Sequence, residues 1–158
     1  MITIRPLINS DIEKICTLPQ SVEELYVFFP KASFPLTPEQ LTSAIAQRSD
    51  SHVVTEGDLV LGFANFYRWG MHGKCSIGNV IVAPETRGLG IASLLMKHMV
   101  ALAYEKYCAS EVTVSCFNFN VAGLLLYPKI GFKPYNIEER VGPIGNRVAL
   151  LHMRHSKP

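Results

Sequence analysis

Apolar positions recur with two spacings along the chain, and the shifts between them predict its elements. Alternation over Ile2 to Arg5 predicts a strand, and Asn9-Ser10-Asp11 offers oxygens to cap a short helix reaching about Leu18. Ser21 with Glu24 three residues on has the spacing of a capping box and opens a second helix carrying Leu25, Tyr26, Phe28 and Phe29. Thr37-Pro38-Glu39-Gln40 starts a third, with Leu41, Ala44 and Ile45 on its apolar face. Period-two segments follow: His52 to Glu56, Leu59 to Trp69 beyond a turn at Gly57-Asp58, and Lys74 to Ala83 beyond Gly70 to Gly73. Ile91 to Tyr107 has the length and periodicity of a helix, Glu111 to Cys116 reads as a strand, and Asn120 to Lys129 as a short helix that Pro128 should bend or end. Gly131 to Arg140 and Arg147 to Arg154 form a final strand pair around Gly142 to Asn146. Without an internal repeat or a linker, residues 1–158 read as a single domain with a mixed α/β layer fold.

Composition narrows what such a fold does. Fifteen Lys and Arg against 13 Asp and Glu give a formal charge of +2, with no run of like sign, so nothing points to nucleic acid. Cys16, Cys75, Cys108 and Cys116 form no C-x-x-C pair and read as packed, reduced thiols. The histidines at 52, 72, 98, 152 and 155 show no metal-ligand grouping, so no metal is expected; His152 and His155 on one strand would face opposite sides. The first residues lack the layout of a signal peptide, and the apolar stretch Ile91 to Leu102 is interrupted by Ser93, Lys97 and His98. A cytoplasmic protein without a membrane span is the expectation.

The candidate chemistry lies where Val80-Ile81-Val82-Ala83-Pro84 passes through Glu85-Thr86-Arg87-Gly88-Leu89-Gly90 into Ile91-Ala92. The first amides of a helix lack internal partners and carry the positive end of the macrodipole, so a diphosphate satisfies them. Glycines at 88 and 90 let backbone approach a ligand. No G-x-x-x-x-G-K-[ST] occurs, and G-x-G-x-x-G would need glycine where Ser93 stands, so P-loop and Rossmann nucleotide sites are disfavoured. The segment resembles motif A of the GNAT superfamily, the Gcn5-related N-acetyltransferases, written Q/R-x-x-G-x-G/A, with Glu85 in the first place. Asn120-Val121-Ala122-Gly123-Leu124-Leu125-Leu126-Tyr127, followed by Gly131-Phe132, resembles the family's motif B, N-x-x-A-x-x-L-Y-x-x-x-G-F, with Gly123 for alanine. Together the two motifs extend the resemblance over roughly Leu59 to Met153.

That resemblance implies an α+β fold in which a central mixed, mostly antiparallel sheet, flanked by helices, splays to admit acetyl-CoA as co-substrate. It further implies an acyltransferase moving the acetyl group to a primary amine of a small molecule, peptide or protein lysine. The coenzyme would lie on Ile81, Val82, Arg87, Gly88, Leu89, Gly90, Ile91, Ala92, Asn120, Gly123 and Tyr127. Tyr127 would protonate the departing thiolate, since a phenol with pKa near ~10 is protonated at neutral pH. Where many relatives carry a glutamate base, this chain has Gly78, followed by Asn79. A lysine-like amine is neutral only about one part in a thousand at pH 7, so water chains ending at Asn79, Tyr67 or Glu24 are candidate proton routes. Phe29, Tyr26 and Tyr67 are candidates for an acceptor pocket, and Cys116 reads as a buried thiol. A coenzyme-binding sensor without catalysis is the alternative; monomer and homodimer both stay open.

Overall fold

The computed structural model describes residues 1–157. Its centre is a seven-stranded sheet in the order β1-β2-β3-β4-β5-β7-β6, formed by β1 (Ile2–Pro6), β2 (Ser49–Glu56), β3 (Leu59–Arg68), β4 (Lys74–Val82), β5 (Glu111–Phe117), β6 (Lys133–Val141) and β7 (Arg147–His155). Every neighbouring pair is antiparallel except β4 and β5. A parallel neighbour requires a crossover, supplied here by helix α4 (Ile91–Tyr107). The fold is therefore the mixed, mostly antiparallel sheet with flanking helices that the sequence predicts.

Strand alternation sorts side chains onto two faces. On one, Ala64, Phe66, Cys75, Ile77, Val112, Val114 and Met153 meet Leu95, Met96, Met99 and Ala103 of α4 in the main core. Burying each large apolar side chain there is worth roughly 1.5–3 kcal/mol relative to exposure, which fixes α4 firmly on the sheet. On the other face Val53, Val60, Phe63 and Ile81 pack against α1 (Asp11–Cys16), α2 (Val22–Phe28) and α3 (Pro38–Ala46). Both predicted caps form: Ser21 Oγ accepts from Glu24 N, and Thr37 Oγ1 from Gln40 N. The second core covers only the β2 to β4 half of its face. β6, at the sheet's edge, is exposed along almost its whole length.

Two local features set up the cleft. The β4–β5 ladder runs only from Lys74 opposite Glu111 to Ile77 opposite Val114. Beyond that rung β4 stays bonded to β3 as far as Val82, and β5 stays bonded to β7 as far as Phe117, so the sheet splits between them. The split coincides with Asn79, whose φ of 50° breaks the extended run of β4. Helix α5 (Val121–Ile130) then corrects the sequence expectation about Pro128: the proline lies inside the last turn and the helix continues to Ile130. It ends instead where Gly131, at φ 115°, lets the Phe132 amide donate to Tyr127 O and the Gly131 amide to Pro128 O.

Candidate active site

The split holds a cavity of about 400 Å³ between α2 and the β4 edge on one side and α5 on the other. Phe28 and Val27 of α2, Val80, Ile81 and Val82 of β4, and Asn120, Gly123 and Tyr127 line it. β4 owes this free edge to the lost pairing with β5, so backbone amides past Gly78 have no partner strand on that side. Of the predicted coenzyme residues, Ile81, Val82, Arg87, Ala92, Asn120, Gly123 and Tyr127 reach this one cavity.

The remaining motif A residues build its mouth. Pro84–Thr86 makes one 3-10 turn, and Gly88 and Gly90 follow at φ 84° and 83°, a region that L side chains enter at a cost of about 1–2 kcal/mol per residue. Space is not the reason for glycine: a Cβ at either position would meet nothing within 4 Å. Gly90 is the N-cap of α4 and provides no side-chain cap, so the first turn keeps its amides for a ligand. Two amides of the predicted set are already engaged, Arg87 N with Pro84 O and Leu89 N with Thr86 O. Leu89 is exposed, whereas the Ile91 side chain is buried in the core beneath the loop. The Arg87 side chain pairs with Glu24 of α2 at 2.8 Å across the mouth, and this hydrogen bond holds the Glu24 carboxyl below its ordinary range.

At the floor of the cavity, Asn120 caps α5 through its Oδ1, which accepts from Gly123 N at 3.1 Å. Gly123 is small because of protein neighbours: a Cβ there would fall 2.7 Å from Asn120 Nδ2 and 2.9 Å from Cys116 Sγ. Tyr127 is 5% exposed, with its ring edge-on to Phe132. Burial raises its pKa, and the neighbouring Cys116 adds to the rise, so the phenol keeps its proton. Burial likewise pushes the Cys116 thiol up to about 12, which leaves it a packed, unreactive group.

Asn79, Tyr26, Phe29 and Tyr67 lie outside the cavity lining. Asn79 is buried, with Nδ2 donating to Phe28 O at 3.0 Å and Oδ1 accepting from Asn65 Nδ2 at 3.1 Å. Its amide thus ties β4 to α2 and β3. Phe29 packs edge-on against Phe28 at the margin of the second core. The Tyr26 hydroxyl donates to Val141 O, and its ring packs against Phe117 and Phe119, linking α2 to the β6–β7 side of the split. Tyr67 lies under the Arg48 guanidinium, 5.5 Å from ring centre to Cζ. Together they fill the place of a side chain at 78, since a Cβ on Gly78 would sit 2.6 Å from Arg48 Nη1 and 2.7 Å from Tyr67 Cδ1. Partial burial lowers the Arg48 pKa, and its Nη1 donates to Asn65 Oδ1.

Sequence spacing did not reveal a second cluster. On the face that α1 to α3 leave open, Ser115 Oγ lies 2.7 Å from His152 Nδ1, and His152 Nε2 lies 2.6 Å from Glu138 Oε1. Glu138 is also bonded by Arg140 at 3.0 Å; Arg140 first and His152 second hold its carboxyl down at about 2. These residues come from β5, β6 and β7, and the signal available in sequence was only the polar beat of alternate positions in the last strands. Among the described residues no three His, Cys, Asp or Glu side chains converge as a metal set, and no helix is long and apolar enough to cross a membrane.

No curated protein matches the chain in sequence. Solved structures do match over nearly its full length. A ribosomal-protein-alanine N-acetyltransferase from Brucella melitensis superposes with a TM-score of 0.80 at 20% identity, covering 98% of this chain and 99% of its own. The ribosomal-protein-S18-alanine N-acetyltransferase from Escherichia coli gives 0.77 at 20% identity, covering 99% and 94%. The Salmonella typhimurium protein yncA, solved with its cofactor acetyl-CoA, gives 0.75 at 20% identity, covering 98% and 93%. At such identities the likeness speaks for the fold. The sequence model of the Acetyltransferase (GNAT) family matches residues 18–132, which take in the split strands, the glycine loop and the Asn120 to Tyr127 helix, and the chain belongs to that family.

Proposed function

We propose that the chain is an N-acetyltransferase that holds acetyl-CoA in the cleft between β4 and α5 and transfers the acetyl group directly to a primary amine. The observation that carries this reading is Tyr127: a buried phenol, kept protonated, on the wall of the same cavity that the β4 edge and the glycine loop delimit. The coenzyme supplies an activated thioester when bound. Its pyrophosphate suits the uncapped α4 terminus and the left-handed glycines. Its pantetheine arm suits the unpaired edge of Val80 to Val82, with Asn120 and Gly123 opposite. A backbone amide of that edge is a donor for the thioester oxygen, in the manner of an oxyanion hole. Tyr127 donates its proton to the departing sulfur.

Asn79 takes no part in proton transfer in this reading, because both ends of its amide are bonded to protein; it fixes the bend that frees the edge. The acceptor amine approaches on the face that α1 to α3 leave open. The test is to incubate purified protein with acetyl-CoA and a panel of amines, including peptide N-termini, lysine peptides and amino acids, and to follow release of the coenzyme thiol. Release with at least one amine, abolished in the Tyr127→Phe variant while acetyl-CoA binding by calorimetry persists, is the expected result. Tight binding without thiol release from any amine would leave a coenzyme sensor.

A further inference from the structure

The acceptor must lose a proton, and β4 has no carboxylate to take it: Gly78 stands at that place, with Arg48 and Tyr67 crowding the space above it. Resting on the N-acetyltransferase reading, we propose that Ser115, His152 and Glu138 form the proton relay for the acceptor amine, with Ser115 as the group that touches it.

Three independent observations lead there. The first is position. Ser76 and Thr113 lie opposite each other one rung before the end of the β4–β5 ladder and are joined by a buried bond at 2.6 Å, on the sheet face that also carries Ser115. Two residues further along the same face come Gly78 on β4 and Ser115 on β5, the first pair past the split. Ser115 therefore follows directly on the last β4–β5 rung, where the split begins, beside the cavity and not in its lining. It and His152 are both partly exposed, His152 with 21% of its side chain accessible.

The second is the order of the bonds. Glu138, held ionised by Arg140 and His152, can only accept, so the His152 proton belongs on Nε2. Nδ1 is then a bare lone pair aimed at Ser115 Oγ, and the serine must donate to it. The oxygen of Ser115 keeps its remaining acceptor capacity for an incoming N–H. The third is the setting. Facing His152 are Glu138, Arg140 and Tyr135 of β6, with Arg154 further along β7 stacked on Tyr135 and Lys133 opposite it in register; β5 presents only the hydroxyls of Thr113 and Ser115. One anion touches the imidazole, and it is placed to stabilise the cation that forms.

The step balances as follows. The amine reacts in its neutral form, having given its first proton to solvent; its nitrogen forms the bond to the acetyl carbon and gives a second proton to Ser115 Oγ, which passes its own to His152 Nδ1. The C–S bond breaks, and the sulfur takes the Tyr127 proton. The enzyme is left with an imidazolium and a phenolate, and exchange of one proton each with solvent restores both.

The experiment compares wild type with His152→Gln, Ser115→Ala, Ser115→Thr and Glu138→Gln, using an amine that the wild type acetylates. His152→Gln and Ser115→Ala are expected to lower kcat at pH 7 by on the order of 10²-fold or more, with KM for acetyl-CoA and the melting temperature little changed. Ser115→Thr, which keeps the hydroxyl, is expected to retain most of the rate. The acid limb of the wild-type kcat/KM profile should disappear in His152→Gln. Nitrogen-15 NMR of labelled histidine gives a readout that needs no turnover: protonation at Nε2 is expected, and an Nδ1–H tautomer would overturn the relay. So would a His152→Gln enzyme with the wild-type rate and pH profile, which leaves the transferase reading intact. Absence of transfer by the wild type would instead remove both.

Discussion

The cleft and the sheet face beside it are made of different material. The cleft is largely backbone: a strand edge freed from its neighbour, two left-handed glycines and an uncapped helix terminus, all within Val80 to Ala92, with Asn120 to Tyr127 opposite. The sheet face beside it carries side-chain clusters, Arg48 with Tyr67 and Ser115 with His152 and Glu138, drawn from five places in the chain. Backbone recognition is written in short contiguous motifs because conformation is local. Side-chain chemistry on a sheet face is written in topology.

The comparison can be broken first at Tyr127, the buried side chain on the cavity wall. Tyr127→Phe should reduce kcat by about 10²-fold or more while the dissociation constant of acetyl-CoA stays within a few-fold, measured by stopped assays and calorimetry. A large loss of binding instead would show that the hydroxyl grips the coenzyme. Next comes packing. Gly123→Ala should destabilise the fold by about 1–3 kcal/mol in urea unfolding, because its Cβ meets Cys116 and Asn120. Adding Cys116→Ala should return part of that loss, a non-additive pair that independent sites would not show.

A subtler test uses conformation alone. Gly90→Ala adds one methyl group where nothing is within 4 Å, so only the φ of 83° resists it. We expect a cost of about 1–2 kcal/mol, read as weaker acetyl-CoA binding or a lower melting temperature, with kcat at saturation nearly unchanged. The smallest effect belongs to the Arg87–Glu24 pair at the mouth. Glu24→Gln should change stability by less than about 1 kcal/mol. Because the carboxyl of Glu24 is lowered in the folded protein, that contribution is complete above its ordinary value of 4.5 and is lost as pH falls through the depressed one. Melting curves at pH 7 and pH 3 for variant and wild type should therefore converge on the acid side.

Legibility followed the same division. Helix caps at Ser21 and Thr37, the turn at Gly57 and both glycine positions of the loop are local effects, and the sequence pattern placed them. Pro128 misled because the cost of a proline depends on where the turn ends, and that was set by Gly131 three residues on. The bulge at Asn79 left no local signal, since asparagine reaches positive φ without glycine's help. Gly78 read as a vacancy, yet its space is taken by side chains from residues 48 and 67. The Ser115–His152–Glu138 line needed the pairing of β5 with β7 and of β7 with β6 before three scattered polar residues could become neighbours.

The bond from the Tyr26 hydroxyl to Val141 O has a mechanical meaning. It clasps the helix on one lip of the split to the hairpin on the other. The tilted packing of the Tyr26 ring on Phe117 is a second tie between the same two lips. Tyr26→Phe removes that hydroxyl bond and keeps the ring packing, so it separates the two ties across the split.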